Sequence, residues 1–425
     1  MKTCAIISEY NPFHNGHLYL YNKSKEITGA DYCISIMSGN FTQRGIPAIC
    51  DKYTRALMSV SSGIDLCLEL PFVYASGSAY DFANGAINIL NNLNTVDYLC
   101  FGAECDDMAL FDEVADIIIN EPGQYKSTLK SNLKDGSSYP HARQKAVINC
   151  LNGLSETELE TVSKITSKPN NILALEYLAA IKRTDSKIEP VVIKRINAEY
   201  TDEQINNSIS SANAIRKAVI HKTTKESVIK ALENDMPHEA LNLLADNFNR
   251  EFPVSPNALI PFLQSTLLNP GMLSDDICDM NPSIMNKLLK SDIYSDYSGL
   301  KESLKSKDIT EARINRVILH LITGYTNKDR KLFYDNNTAF YANILAFRKA
   351  SSVLIKEINK KSQIPVITKK SDYNKYFSNY PDINRTAAER MWALDITASK
   401  LYGSIVYNSL GTHLKNDYET NIPIV

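Results

Sequence analysis

Several features are scarce in this chain. Its 8 cysteines form no CxxC pair and follow no regular spacing. Metal and disulfide frameworks are therefore disfavoured, no metal ligands are assigned, and a reducing cytoplasm is the expected location. No apolar run is long enough to span a bilayer, so no membrane partner is expected. The first residues, interrupted by Glu9, read as part of the fold and not as a signal peptide. Net charge is also scarce, at -2, so a nucleic-acid partner would need a local basic face. There is no internal repeat and no low-complexity segment. What remains is a chain of 425 residues, 44% apolar and 22% charged, long enough for two or three globular domains.

Strand-like and helix-like runs alternate in the first half. Strands are predicted over Thr3 to Ser8, Tyr32 to Met37, Ile64 to Leu70, Val96 to Phe101 and Pro190 to Lys194. Their near-continuous apolar character suits a parallel sheet covered on both faces. Amphipathic runs at Leu18 to Thr28, Lys52 to Ser62 and Ser78 to Asn92 supply the crossovers. The expected class is α/β, a doubly wound parallel sheet with a mainly helical C-terminal domain. The expected division is 1–235 and 236–425, with a helical insertion at about 106–165. The tail from Tyr418 is expected to be partly disordered.

The stretch Glu9-Tyr10-Asn11-Pro12-Phe13-His14-Asn15-Gly16-His17 joins the first strand to the first helix. Open α/β sheets hold phosphates there, on free helix N–H groups. Gly16 leaves room for close approach, and each imidazole can donate to a phosphate oxygen. A metal pair is the rival reading, but carboxylate or cysteine companions at ligand spacing are missing. A second anion motif is Ser210-Ser211-Ala212-Asn213-Ala214-Ile215-Arg216. Its serines can cap a helix, and Arg216 adds a permanently charged fork. Together the two motifs can neutralise a departing pyrophosphate, with His14, His17 and Arg216 as the catalytic candidates.

Weaker candidates sit at other strand ends. Arg44, in Met37 to Gly45, could grip a phosphate or second substrate. Gly102 could pass under a nucleotide, Asn170 and Asn171 could meet adenine or ribose, and Arg195 and Ile196 end the last predicted strand. Asp65 and Glu69 read as structural, or as solvent-facing at a strand end. Residues 301–372 hold 15 Lys or Arg against 7 Asp or Glu. That asymmetry suits an RNA backbone, with Arg313, Arg316, Arg348, Lys349 and Lys360 as candidate contacts.

These motifs resemble the nucleotidyltransferases of the class I synthetase-like superfamily, in which an HxGH motif binds the triphosphate and an ISSxxIR loop closes on it. Ile209-Ser210-Ser211 with Ile215-Arg216 is similar to that loop. EYNPFHNGH, MSGNFTQRG, SGIDLCLELP, FGAE, SKPNNIL and SSANAIRKA together resemble the tRNA(Met) cytidine acetate ligases. Asn197-Ala198-Glu199 and Ala174 depart from that pattern. The resemblance implies a Rossmann-like nucleotidyltransferase domain that activates acetate as acetyl-adenylate with ATP. It then implies acetylation of the wobble cytidine of elongator tRNA(Met) to N4-acetylcytidine, in the cytoplasm. It also implies an ATP site formed by Ile7, Ser8, Glu9, Tyr10, Asn11, Pro12, Phe13, His14, Asn15, Gly16, His17, Leu18, Tyr19 and Leu20. To these it adds Gly102, Asn170, Asn171, Arg195 and Ile196, beside Ser210 and Ser211. Mg²⁺, held mainly by the phosphates, is the expected companion of ATP, and no obligate protein partner is evident. The alternative is a small-molecule adenylyltransferase of the same superfamily.

Overall fold

The computed structural model describes the chain except for residues 152, 197–209, 270, 272, 292–295 and 307–308. The divergent Asn197-Ala198-Glu199 and the approach to the second motif through Ile209 therefore lie outside the described residues.

Five strands alternate with helices in the first half: β1 (Thr3–Ser8), β2 (Tyr32–Ser38), β3 (Leu66–Leu70), β4 (Tyr98–Ala103) and β5 (Glu189–Lys194). All five are parallel to their neighbours in this set. Every residue of β3 is buried, as expected for an apolar strand covered on both faces. Two further strands, β6 (Ala342–Phe347) and β7 (Val366–Ile367), come from the last third of the chain. The sheet order is β5-β4-β1-β2-β3-β6-β7. Because β6 runs antiparallel to β3 and β7 parallel to β6, the sheet is mixed, with a parallel core as predicted. The two extra strands escaped sequence reading because they are short apolar runs among helices, where no period can form.

From β1 the chain steps outward to β2 and β3, then crosses back over β1 to β4 and β5. That reversal opens a crevice at the carboxyl ends of β1 and β4. Helices Asn15–Thr28, Lys52–Ser61 and Ala79–Leu93 connect these strands. The predicted insertion comprises four helices, Met108–Asn120, Gly123–Lys134, Tyr139–Cys150 and Glu156–Ser167. They lead into the helix Pro169–Arg183.

The division expected at 235 falls between helices Lys225–Leu232 and His238–Asp246. Both contribute to one apolar cluster, which joins Tyr10, Phe13 and Tyr53 to Ile215, Leu232, Leu244 and Leu345. The largest cluster likewise runs from Ile34 and Leu68 to Trp392 and Tyr402 on the long helix Asp382–Leu410. The tail beyond Tyr418 is not loose as expected. Val425 N donates to Phe347 O at 3.1 Å and Lys349 N donates to Val425 O at 2.6 Å, so the end of β6 satisfies it. Among the described residues no helix is long and apolar enough to cross a membrane.

Candidate active site

His14 caps the helix Asn15–Thr28. Its Nδ1 accepts from Gly16 N at 3.0 Å, and its own N–H donates to His17 Nδ1 at 3.2 Å. Both Nδ1 atoms are therefore acceptors, which places the proton of each neutral ring on Nε2. The ring centroids lie 3.9 Å apart, and His17 is held edge-on against Tyr10 and tilted against Phe13. Burial, with the charges of Arg195 and Arg216, pushes His14 down to about 3. Burial and His14 likewise hold His17 well below the ordinary imidazole range. The free site thus presents two neutral N–H donors in one fixed tautomer.

Two arginines, Arg195 and Arg216, act on this pair, and a third, Arg44, acts on Arg216. Arg216, on the helix Ala212–Val219, donates to Asn11 O at 2.7 Å, joining two motifs 205 positions apart. Ser211 caps that helix by accepting from Ala214 N at 3.2 Å, and Ser210 is half-buried beside it. Burial lowers the affinity of Arg216 for its proton, the charge of Glu9 offsets this in part, and the exposed Arg44 lowers it further through like charge. Arg195, at the end of β5, crosses Gly102 so closely that a Cβ there would meet its Cγ at 3.2 Å. Gly102 thereby leaves room for the Arg195 side chain, whose charge acts on both imidazoles. Among the described residues no carboxylate lies within ion-pair distance of Arg44, Arg195 or Arg216.

A fourth arginine, missed in the sequence, lies beneath. Arg55 is fully buried on the helix Lys52–Ser61. It donates to Cys50 O at 3.1 Å, Glu9 O at 2.6 Å, Ser38 O at 3.2 Å and also Gly39 O. It therefore gathers the carbonyl ends of β1 and β2 and adds positive charge under the crevice. The available signal was a cation on the apolar face of an amphipathic helix. Glu9 uses its carboxylate to accept from Gln43 N at 2.8 Å, which seats the loop 39–48 beside the site.

Other predicted residues play supporting parts. Ile7, Tyr10 and Phe13 are buried under the motif, Asn11 Oδ1 accepts from Ile49 N at 2.8 Å, and Asn11-Pro12 is a cis peptide. Ser8 Oγ accepts from Tyr10 N at 3.4 Å, and Leu18, Tyr19 and Leu20 are half-buried along the first helix. Asn15 turns away, with Nδ2 on Asn234 O at 2.9 Å. Asn171 is fully buried, and its Oδ1 accepts from Glu104 N at 2.7 Å and Cys105 N at 3.3 Å. Its side chain shapes the turn after β4 and has no free face for a nucleotide. Asn170 Nδ2 donates to Glu104 at 2.6 Å. Ile196 is half-buried just past β5. Asp65 and Glu69 are buried and structural, not solvent-facing.

The basic region is less free than its composition suggests. Arg316 is buried against Asp279 at 2.6 Å, so it offers no surface charge. The Arg313 Nε donates to Asp279 O at 3.0 Å. Arg348 and Lys349 follow β6, whose antiparallel course carries them to the amino end of β3, away from the crevice. Lys360 is exposed near the end of the helix Ser352–Lys361. Among the described residues no group of three or more His, Cys, Asp or Glu gathers as a metal cage.

Comparison with known proteins points to one family. A family model described as HIGH Nucleotidyl Transferase matches residues 1–417. A curated relative from Acetivibrio thermocellus, named tRNA(Met) cytidine acetate ligase, is 37% identical over the full length of both chains. One of the same name from Caldanaerobacter subterraneus is 37% identical over 95% of each. The crystal structure of Thermotoga maritima TmcAL bound with alpha-thio ATP superposes with a TM-score of 0.88 at 28% identity, covering all of both chains. The apo form superposes with a TM-score of 0.89 at 29% identity. The chain belongs to the HIGH nucleotidyl transferase family and groups there with ligases named tRNA(Met) cytidine acetate ligase.

Proposed function

We propose that this chain activates acetate with ATP and transfers the acetyl group to the wobble cytidine of elongator tRNA(Met), forming N4-acetylcytidine. The observation that carries the reading is the tautomer-locked pair His14 and His17 beside Arg195 and Arg216, neither guanidinium having a carboxylate within ion-pair distance among the described residues. Such a site binds a polyanion, and its end-to-end relatives are ligases of this name.

Acetate is already ionised near neutral pH and needs no general base to attack. Its oxygen forms a bond to the α-phosphorus while the bridging bond to the β-phosphate breaks. Pyrophosphate leaves with that electron pair. The Nε2–H groups of His14 and His17 donate to phosphate oxygens as charge builds, and Arg216 with Ser210 and Ser211 holds the departing end. The cytidine amine then attacks the acetyl carbonyl, AMP leaves, and the amine loses its proton. The described residues provide no metal cage; Mg²⁺, if required, would travel with the phosphates, and no step here is routed through it. The mainly helical part from 236 onward would carry the tRNA.

Incubation with ATP and labelled acetate, with and without bulk tRNA, tests the reading. Label is expected on cytidine of the RNA, with release of AMP and pyrophosphate. Label confined to a small-molecule product would overturn it in favour of a small-molecule adenylyltransferase.

A further inference from the structure

A cavity of about 630 Å³ opens where the long helix Asp382–Leu410 meets the loop 411–418. It belongs to none of the groups assigned above. Its inner wall is Asn40 and Asp51, which bracket the loop after β2. That same loop is fastened on its other side to the nucleotide crevice, through Ile49 N on Asn11 Oδ1 and Gln43 N on Glu9. Tyr402 OH on Ala48 O, at 3.0 Å, ties the long helix to it. Cavity and crevice therefore share one wall and one edge of the sheet.

The lining has a particular chemistry. Tyr407 is 58% exposed and makes no ring contact among the described residues, and Tyr418 is 41% exposed. Tyr418 is anchored, its hydroxyl accepting from Trp392 Nε1 at 3.3 Å. Lys400 and Lys415 are exposed on the rim, and neither has an ion-pair partner among the described residues. The two carboxylates of the lining are already engaged. Asp417 binds Lys52 at 2.7 Å and Lys370 at 3.1 Å, and Asp51 caps its helix by accepting from Tyr53 N at 2.8 Å. Asn408 and Asn416 add amide groups. An aromatic face, unpaired cations and amides around a recess match an unstacked base and its backbone.

We propose that this cavity takes an unpaired nucleotide of the RNA substrate, with the base on Tyr407 and the backbone on Lys400 and Lys415. The inference rests on the tRNA reading above and moves the principal contact from residues 301–372 to the end of the long helix. Arg348 and Lys349 lie at the opposite edge of the sheet, whereas this cavity lies at the edge where the acetyl group would be made.

The test uses full-length protein, an elongator tRNA(Met) transcript and two variants, Tyr407→Ala and the double reversal Lys400→Glu with Lys415→Glu. Acetate-dependent ATP–pyrophosphate exchange should be unchanged in both, which also certifies their fold. Affinity for tRNA should fall about tenfold in Tyr407→Ala, with rescue by Tyr407→Phe. In the double reversal the dependence of log affinity on log salt should flatten by about one or more. Unchanged affinity and slope in both variants would overturn the cavity assignment while leaving the ligase reading intact. Failure of the unaltered protein to acetylate tRNA would instead overturn the ligase reading.

Discussion

At the ends of β1, β4 and β5, Arg195 and Arg216 flank two neutral imidazoles, and no carboxylate pairs with either guanidinium among the described residues. At the end of β3 and the start of the antiparallel β6, on the same edge of the sheet, the rule is the reverse. There Lys52 binds Glu69 at 2.8 Å and Asp417 at 2.7 Å, and Lys370 binds Asp417 at 3.1 Å. Asn343 of β6 donates to Glu69 at 2.7 Å, closing the second cluster. All four charged groups there are buried, and their charges cancel. The first cluster keeps unpaired guanidinium charge, eased from a distance by Glu104 and Glu9, and in the proposed reaction the phosphates would complete it. The second is complete without one, and it clamps the returning C-terminal third onto the parallel core. Charge balance, more than burial, separates a site from a strut.

The largest expected effect breaks the strut. Lys52→Met leaves Glu69 and Asp417 buried with one fewer cation, and unfolding in urea should report a loss of about 3–5 kcal/mol. Combining it with Asp417→Asn, which removes a facing charge, should recover part of that loss. A loss below about 1 kcal/mol would mean that the cluster is not the clamp.

The positive pole should respond in the other currency. Arg216→Ala should raise the ATP KM about tenfold or more with little change in unfolding, and Arg216→Lys should recover only part, because a point charge lacks the guanidinium fork. Equal KM values for the protein and Arg216→Ala would remove Arg216 from the phosphate site.

A smaller effect is expected with pH. Burial and the charge of Glu69 push the Asp395 carboxyl up to about 7. The folded form thus holds a proton that the unfolded form has released, so stability from this group is present at low pH and is lost as pH rises toward 7. Between pH about 5.5 and 6.5 the chain should lose roughly 1 kcal/mol relative to Asp395→Asn. Parallel stability curves for the two would contradict this.

Much of this arrangement was legible in the sequence because it is local. A buried strand, a capping His and a helix fall within Thr3 to Thr28, so the nucleotide motif and its strand could be read together. The five parallel strands were legible from their apolar runs. What depends on distant pairing was not. The strand β6 declares itself only by its bonds to β3, and Arg55 only by the carbonyls it gathers. The net charge of residues 301–372 also misled, because partners such as Asp279 and Asp81 lie outside that window. The Asn171 amide is another such case: it accepts from Glu104 N in the turn after β4, a partner 67 positions away.

In the proposed reaction the neutral His14–His17 pair stabilises charge during adenylation. Acetate-dependent exchange of labelled pyrophosphate into ATP measures that step alone, without RNA. His14→Ala and His17→Ala should each lower the exchange rate by about 10²-fold or more while keeping the unfolding profile of the unaltered protein. Exchange at the unaltered rate in either variant, or exchange that does not require acetate, would contradict the account.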